Sequence, residues 1–409
     1  MAIRKNVKDL SATEKSQLAD AIKALKANGN YDQYVMRHAQ AQMSNIHRCP
    51  AFLPWHRQFL LEYEKELQDL SGNPDLGLPY WNWAEDQASG NPANGLVWAD
   101  DLMGGNGDSS DNDIVKTGPF RQGEWTIITM GGNPAGALQR EFGVSTGSLS
   151  TQSDVDDAMN TTPYDASPWN TGSNPSFRNR LEGWYGESGA GLHNRGHVWV
   201  GGSMLPMTSP NDPVFFLHHC FVDKIWADWQ AQHPSEGYQP MNGGAPGQNY
   251  NDPMEPTVSG SATPADVWDI SALGYSYDTD VESSSTESTE TIGTSEAESS
   301  GNDDSGTEST GSTGEGDGSD ATSSSGGRGP CFVATATMGD YNHPIVLQLS
   351  EFRDQWLLQR KWGQQFVKYY YEYGPYPAQA IAKSQWLRKV CYYAIVRPLA
   401  FIANVLLKS

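Results

Sequence analysis

The sequence predicts a mainly α-helical protein with long loops, plus a second, smaller helical module at its C-terminus. Three observations carry that expectation. Apolar side chains recur at helical spacing beside histidines, as in His56, Leu60, Tyr63 and Leu67. Stretches rich in Gly, Asn, Pro and Asp, at 86–118 and 145–176, are too long to be simple turns. A run of Ser, Thr, Gly, Glu and Asp then divides the chain, and aromatic and apolar residues return beyond it.

Residues 1–277 read as the main domain. It opens with a helix: Ser11 and Glu14 form a capping-box pattern, Leu18, Ile22 and Leu25 line one face, and Gly29 can end it. Residues 278–330 read as a disordered tether, because almost no apolar side chain is available there to offset the entropy of ordering. Residues 331–409 read as a small helical module. Its last helix is apolar but carries Arg397 and Pro398, which suits either a membrane surface or docking onto the main domain.

The net charge of −22 is unevenly spread. Residues 278–327 hold 13 acidic and no basic side chains, while residues 331–409 hold nine basic and four acidic ones, a net of +5. No basic face or phosphate-cradling glycine loop marks the main domain, so nucleic acid is not an expected partner. The N-terminus lacks an apolar signal core, and no run of eighteen apolar residues suggests a spanning helix. Four scattered cysteines do not make a disulfide scaffold. The default location is therefore the cytoplasm, with export by a route the sequence does not display left open.

Six of the nine histidines fall into two sets of three. His38, His47 and His56 are spaced nine and nine. His56 follows Phe-Leu-Pro-Trp, with Pro54 in the first turn of a helix that runs to about Leu70, before Gly72. In the second set His193 and His197 are four apart, so a helix puts both on one face. A helix starting after Asn211-Asp212-Pro213 then carries Phe215, His219, Val222, Trp226 and Trp229 on an inward stripe. Asp223, one turn after His219, is placed to orient an imidazole. His218 stands beside His219, and spacing alone does not choose between them.

Three imidazoles without thiolate or carboxylate suit one copper ion, and two such sets suit a copper pair. The zinc-protease alternative lacks a glutamate between His193 and His197, and a di-iron site would need inward Glu-x-x-His patterns that are absent. Phe52 and Phe215 each precede the third histidine of a set by four residues, and both rings are expected to pack over the metals.

These segments resemble the type 3 copper proteins, and among them the bacterial tyrosinases. The resemblance rests on His47 with Phe-Leu-Pro-Trp-His56-Arg, on Pro79-Tyr-Trp-Asn-Trp83, on Leu-His193-Asn-Arg-Gly-His197-Val-Trp-Val-Gly-Gly, and on Asn-Asp-Pro-Val-Phe-Phe-Leu-His-His219-Cys-Phe-Val-Asp223-Lys. It spans about residues 30–230. It implies a four-helix bundle holding two coppers, one on His38, His47 and His56, the other on His193, His197 and His219. It implies O2 as co-substrate, ortho-hydroxylation of monophenols, and oxidation of o-diphenols to o-quinones. Small phenols and catechols are then the substrates.

The same resemblance makes Glu182 and Asn194 the residues that hold a water for phenol deprotonation. It places Pro206 at the substrate entrance, in a pocket with Phe52, Phe215 and Val198. The Glu182–His193 interval exceeds the usual bacterial one by a few residues, Glu187–Ala190. Cys49 follows rather than precedes a histidine, so no Cys–His crosslink is expected, and Cys49 and Cys220 are read as packed thiols. His233 and His343 are read as ordinary polar residues.

Larger family members carry a C-terminal domain that plugs the site. Residues 331–409 are accordingly expected to dock within the chain as a lid, with the plug in Tyr369–Tyr376, or at Phe332 or Met338. A copper-loading helper is a further expected partner, and the tail itself is a candidate for that role. The competing readings are a catechol or aminophenol oxidase without hydroxylase activity, and a haemocyanin-like oxygen carrier.

Overall fold

A computed structural model describes residues 1–41, 43–184, 190–255, 261–280 and parts of 333–406. The chain divides into two compact units, Met1–Gly293 and Thr294–Ser409. The expected tether lies outside the described residues except for 278–280, as do Phe332, Met338 and Tyr369–Tyr376.

The first unit is helical. Helix α1 (Ala12–Ala27) begins at the expected capping box, where Ser11 accepts from the Glu14 amide and Glu14 accepts in return. Leu18, Ile22 and Leu25 are buried along one face. After Gly29 the chain re-enters helix as α2 (Asn30–Gln40). Helix α3 (Phe52–Ser71) ends on Gly72, whose positive φ of 64° supplies the left-handed stop. Its stripe of His56, Leu60, Tyr63 and Leu67 is buried as the spacing requires. Helices α4 (Phe177–Glu182), α5 (Leu192–Val200) and α6 (Val214–Gln232) follow.

Helices α2, α3, α5 and α6 form the bundle. Helix α3 packs on α6, α5 packs on α6, and α1 covers α2 and α3. Aromatic contacts fix the spacing: Tyr63 of α3 stacks on Phe216 of α6 at 3.6 Å between centroids, and Tyr34 of α2 meets Phe59 and Tyr63 edge-on at 5.3 Å. The start of α6 is pinned by a buried pair. Arg140 donates to both Asp212 carboxylate oxygens at 2.8 Å and to the carbonyls of Met103, Gly104 and Gly105.

Two features depart from the sequence expectation. The stretches 86–118 and 145–176 contain short elements, including a hairpin between Gly107–Asp108 and Ile114–Val115 and a helix Gln152–Met159 capped by Thr151 and Asp154. Strand β1 (Ala2–Arg4) also pairs in parallel with β2 (Tyr275–Tyr277), with Arg4 opposite Tyr277. Three-residue strands are too short to show an alternating pattern. Gly77 lets this sheet close, since a Cβ there would sit 2.1 Å from the Ile3 carbonyl oxygen.

The described parts of the second unit are helical. Ala334, Leu349 and Phe352 pack with Val396, Ala400 and Ala403 of a C-terminal helix made of Gln385–Cys391, a π-turn Tyr392–Val396, and Arg397–Leu406. Among the described residues, no helix is long and apolar enough to cross a membrane.

Candidate metal centre

Five of the six histidines are buried at the centre of the bundle, and His197 is half-buried beside them. His38 lies on the last turn of α2, and its Nδ1 is 2.6 Å from the Met207 carbonyl. His56 lies on the first turns of α3 with Nδ1 2.7 Å from the carbonyl of Phe52, one turn back. His47 comes from the bend after the short helical turn Met43–Ile46. A carbonyl can only accept, so Nδ1 of His38 and of His56 carries the proton and Nε2 keeps the lone pair. Both Nε2 atoms are buried without a hydrogen-bond partner. One nitrogen from each of the three rings lies within 4.8 Å of the others.

The second set is built the same way. His193 and His197 share a face of α5. His197 Nδ1 is 2.8 Å from the Met204 carbonyl, while its Nε2 is 3.2 Å from His219 Nε2. His193 Nε2 is 3.3 Å from that same His219 atom. His218 also falls within 4.8 Å of this group. Its Nε2, however, donates to the His193 carbonyl at 3.1 Å, and its ring stacks 5.2 Å from His193. Gly196 makes room for it, since a Cβ there would meet His218 Cε1 at 2.4 Å.

The two sets adjoin. His56 and His219 stack at 4.4 Å between centroids, with planes 14° apart. Phe52 touches His56 and His193, both at 4.8 Å, and Phe215 lies 4.1 Å from His219 and 5.1 Å from His38. Each phenyl ring therefore packs across both sets, and both are fully buried. Burial pushes the histidines down, His38 to about 3 and His197 to about 4, with His47, His56, His193 and His219 well below their usual range. In the first set the converging nitrogens are buried without a partner, and in the second the Nε2 atoms face one another. Neutral imidazoles so arranged fit a soft or borderline cation, and among the described residues no thiol or carboxylate joins either group.

Glu182 and Asn194 meet on His193. The Glu182 carbonyl is 3.3 Å from His193 Nδ1, and Asn194 Oδ1 is 3.1 Å from it. The Glu182 carboxylate accepts from the Arg48 amide at 2.6 Å and from Arg178 at 3.1 Å. Burial raises its pKa, against the pull of Arg178. Asn194 Nδ2 is buried without a partner. Val198 is half-buried on α5, and Pro206 is exposed. Of the extra residues between Glu182 and His193, only Ala190 is described, and its carbonyl accepts from Arg195 at 2.8 Å.

Asp223 does not orient an imidazole. Its carboxylate accepts from Arg57 at 2.5 Å, from Arg4 at 3.1 Å, and from the Tyr275 and Tyr277 hydroxyls at 2.7 and 2.6 Å. The imidazoles take backbone carbonyls instead. Those of Met204 and Met207 carry no sequence signal, because every residue has a carbonyl. Cys49 and Cys220 are buried free thiols, and His233 bonds the Met159 carbonyl at 2.7 Å.

Residues 28–232 match the family model described as the common central domain of tyrosinase. The chain is 42% identical over 290 residues to a tyrosinase of Streptomyces glaucescens, covering 68% of this chain and all of that one. It is 38% identical over 313 residues to grixazone synthase of Streptomyces griseus, covering 68% of this chain and 99% of that one. A solved polyphenol oxidase point mutant from Thermothelomyces thermophila shares the fold, with a TM-score of 0.54 and 24% identity over 68% of this chain and 88% of that one.

Proposed function

The chain belongs to the tyrosinase family of type 3 copper proteins and is a copper oxidoreductase; from that premise we propose that it hydroxylates monophenols and oxidises o-diphenols to o-quinones. The two sets of converging imidazole nitrogens carry the reading. His38, His47 and His56 would hold one copper, and His193, His197 and His219 the other. His219 is preferred to His218 because its Nε2 lies 3.3 and 3.2 Å from Nε2 of His193 and His197, and its ring stacks on His56 of the first set. Bound there, the copper pair supplies O2 activation. The balance is one monophenol and one O2 giving one o-quinone and one water, or two o-diphenols and one O2 giving two o-quinones and two waters.

The chain's own groups do the rest. The carbonyls of Met207, Phe52 and Met204 fix which ring nitrogen faces the metals. Phe52 and Phe215 keep water off the reacting centre. A phenol has a pKa near 10 and must lose its proton to bind as phenolate. We assign that step to a water held between Asn194 Nδ2, which has no other partner, and Glu182, whose raised pKa makes it the better proton acceptor. Pro206 and Val198 border the entrance.

Residues 1–277 form the catalytic domain in this reading, 278–330 a cuttable tether, and 331–409 a lid that keeps the enzyme latent. Copper analysis and product identification test it. Two coppers per chain, a charge-transfer band on adding hydrogen peroxide, and catechol formed from a monophenol are expected. Deleting 278–409 should raise turnover or remove a lag; unchanged kinetics would sink the lid. One relative of similar identity carries a name other than tyrosinase, grixazone synthase, which keeps a second reading in play, an oxidase restricted to diphenols or aminophenols. It predicts quinone from catechol and none from a monophenol, even without the tail.

A further inference from the structure

We propose that the C-terminal helix is a lipid-binding surface that seats on anionic bilayers. The inference does not depend on the lid role. Cys391, Val396, Ala400 and Ala403 are buried on one side of the helix. The spacing from Cys391 to Val396 is five residues, and the π-turn Tyr392–Val396 absorbs the extra one, so the buried side stays in register. The other side is open and mostly apolar. Tyr393 is 64% exposed, Ile395 45%, Val390 43% and Leu399 41%. Lys389 and Arg397 are exposed among them, and neither makes an ion pair among the described residues.

An apolar stripe of this size in water calls for an occupant. Three occupants can be weighed. A second copy would bring Lys389 and Arg397 against their own counterparts, and residues 385–409 contain no Asp or Glu to relieve them. The acidic stretch 278–327 would match the cations but offers almost nothing apolar to cover the stripe. An anionic bilayer satisfies both demands: the apolar side chains enter the boundary of the acyl region, and the two cations reach headgroup phosphates along their apolar stems. Tyr393 is an aromatic side chain with a polar tip, the kind that favours that interface. Among the described residues no helix is long and apolar enough to span, so the helix would lie in the surface.

The test is vesicle flotation of the full-length protein at low and high salt. One vesicle preparation is phosphatidylglycerol mixed equally with phosphatidylcholine, the other phosphatidylcholine alone. The wild type should float with the mixed vesicles, less so at high salt, and poorly with phosphatidylcholine alone. Lys389→Gln with Arg397→Gln should weaken flotation by about tenfold or more, from the loss of two charges near the surface. Tyr393→Ser with Leu399→Ser should weaken it on both vesicle types. Phenol turnover and oligomeric size of the wild type and of both double variants are read alongside in lipid-free solution. Three results would each overturn the proposal: no flotation on either vesicle; flotation that both double variants leave unchanged; or variants that alter turnover or oligomeric size in lipid-free solution while the wild type never floats. The last would assign the face to the catalytic unit or to a second copy.

Discussion

Arg57 Nε lies 2.5 Å from Asp223 Oδ1, which ties the residue after His56 to the residue one turn beyond His219. Arg4 from β1 and Tyr275 and Tyr277 from β2 close on the same carboxylate. Both histidine-bearing helices, α3 and α6, are thus held from behind by the paired strands β1 and β2 of the first unit. Burial would raise the pKa of Asp223, but Arg57 and Arg4 hold it below the usual carboxylate range.

Asp223→Ala should therefore cost about 3–5 kcal/mol, because Arg57 is left as an uncompensated buried cation and Arg4 keeps only Glu64. Urea unfolding of the copper-free protein measures it. A loss under about 1 kcal/mol would mean that the network contributes little beyond packing.

Gly196→Ala should remove copper from the second set without unfolding the bundle. The added methyl meets His218, which is held against the His193 carbonyl and cannot move aside without displacing His193. Copper per chain should fall from two towards one. The double variant with His218→Ala should recover copper, since the ring that the methyl strikes is gone. Full copper in the single variant would show that the site yields more readily than the close contact implies.

Glu182→Gln should separate the two activities. Monophenol turnover is expected to fall by about 100-fold, the scale of a lost proton acceptor, while diphenol turnover changes little. Equal losses on both substrates would instead place Glu182 in support of His193, through its carbonyl and through Arg178.

Much of this centre was legible in the sequence because helical spacing converts directly into facing. Two histidines four apart on α5, and stripes through His56 and His219, had to point inward once those helices formed. The helix starts were equally plain, from the Ser11 and Glu14 capping box to Asp212 and Pro213 before α6. What stayed hidden depends on long-range contact. Asp223 one turn from His219 suggested an imidazole partner, but Arg4, over 200 residues away, competes for it and wins with a full charge. The meeting of β1 with β2 left no pattern in three residues, and the carbonyls that orient the imidazoles leave none at all.

The copper-free protein should lose stability as pH falls below neutrality. In the unfolded chain a histidine takes up a proton near pH 6.5. Burial holds His38 at about 3 and His197 at about 4 in the folded protein, so over that interval the unfolded state binds more protons. Stability is then complete above the unfolded value and is lost as pH drops towards the folded ones, at about 1.4 kcal/mol per pH unit for each such histidine. Urea unfolding across this range should show the slope, and His38→Asn should reduce it by about that amount. Bound copper should steepen the dependence, since protons compete with the metal for the same nitrogens. A flat profile from about pH 7 to about pH 5 would mean that these imidazoles gain protons in the folded chain as readily as in the unfolded one, and the neutral, metal-ready state argued here would not hold.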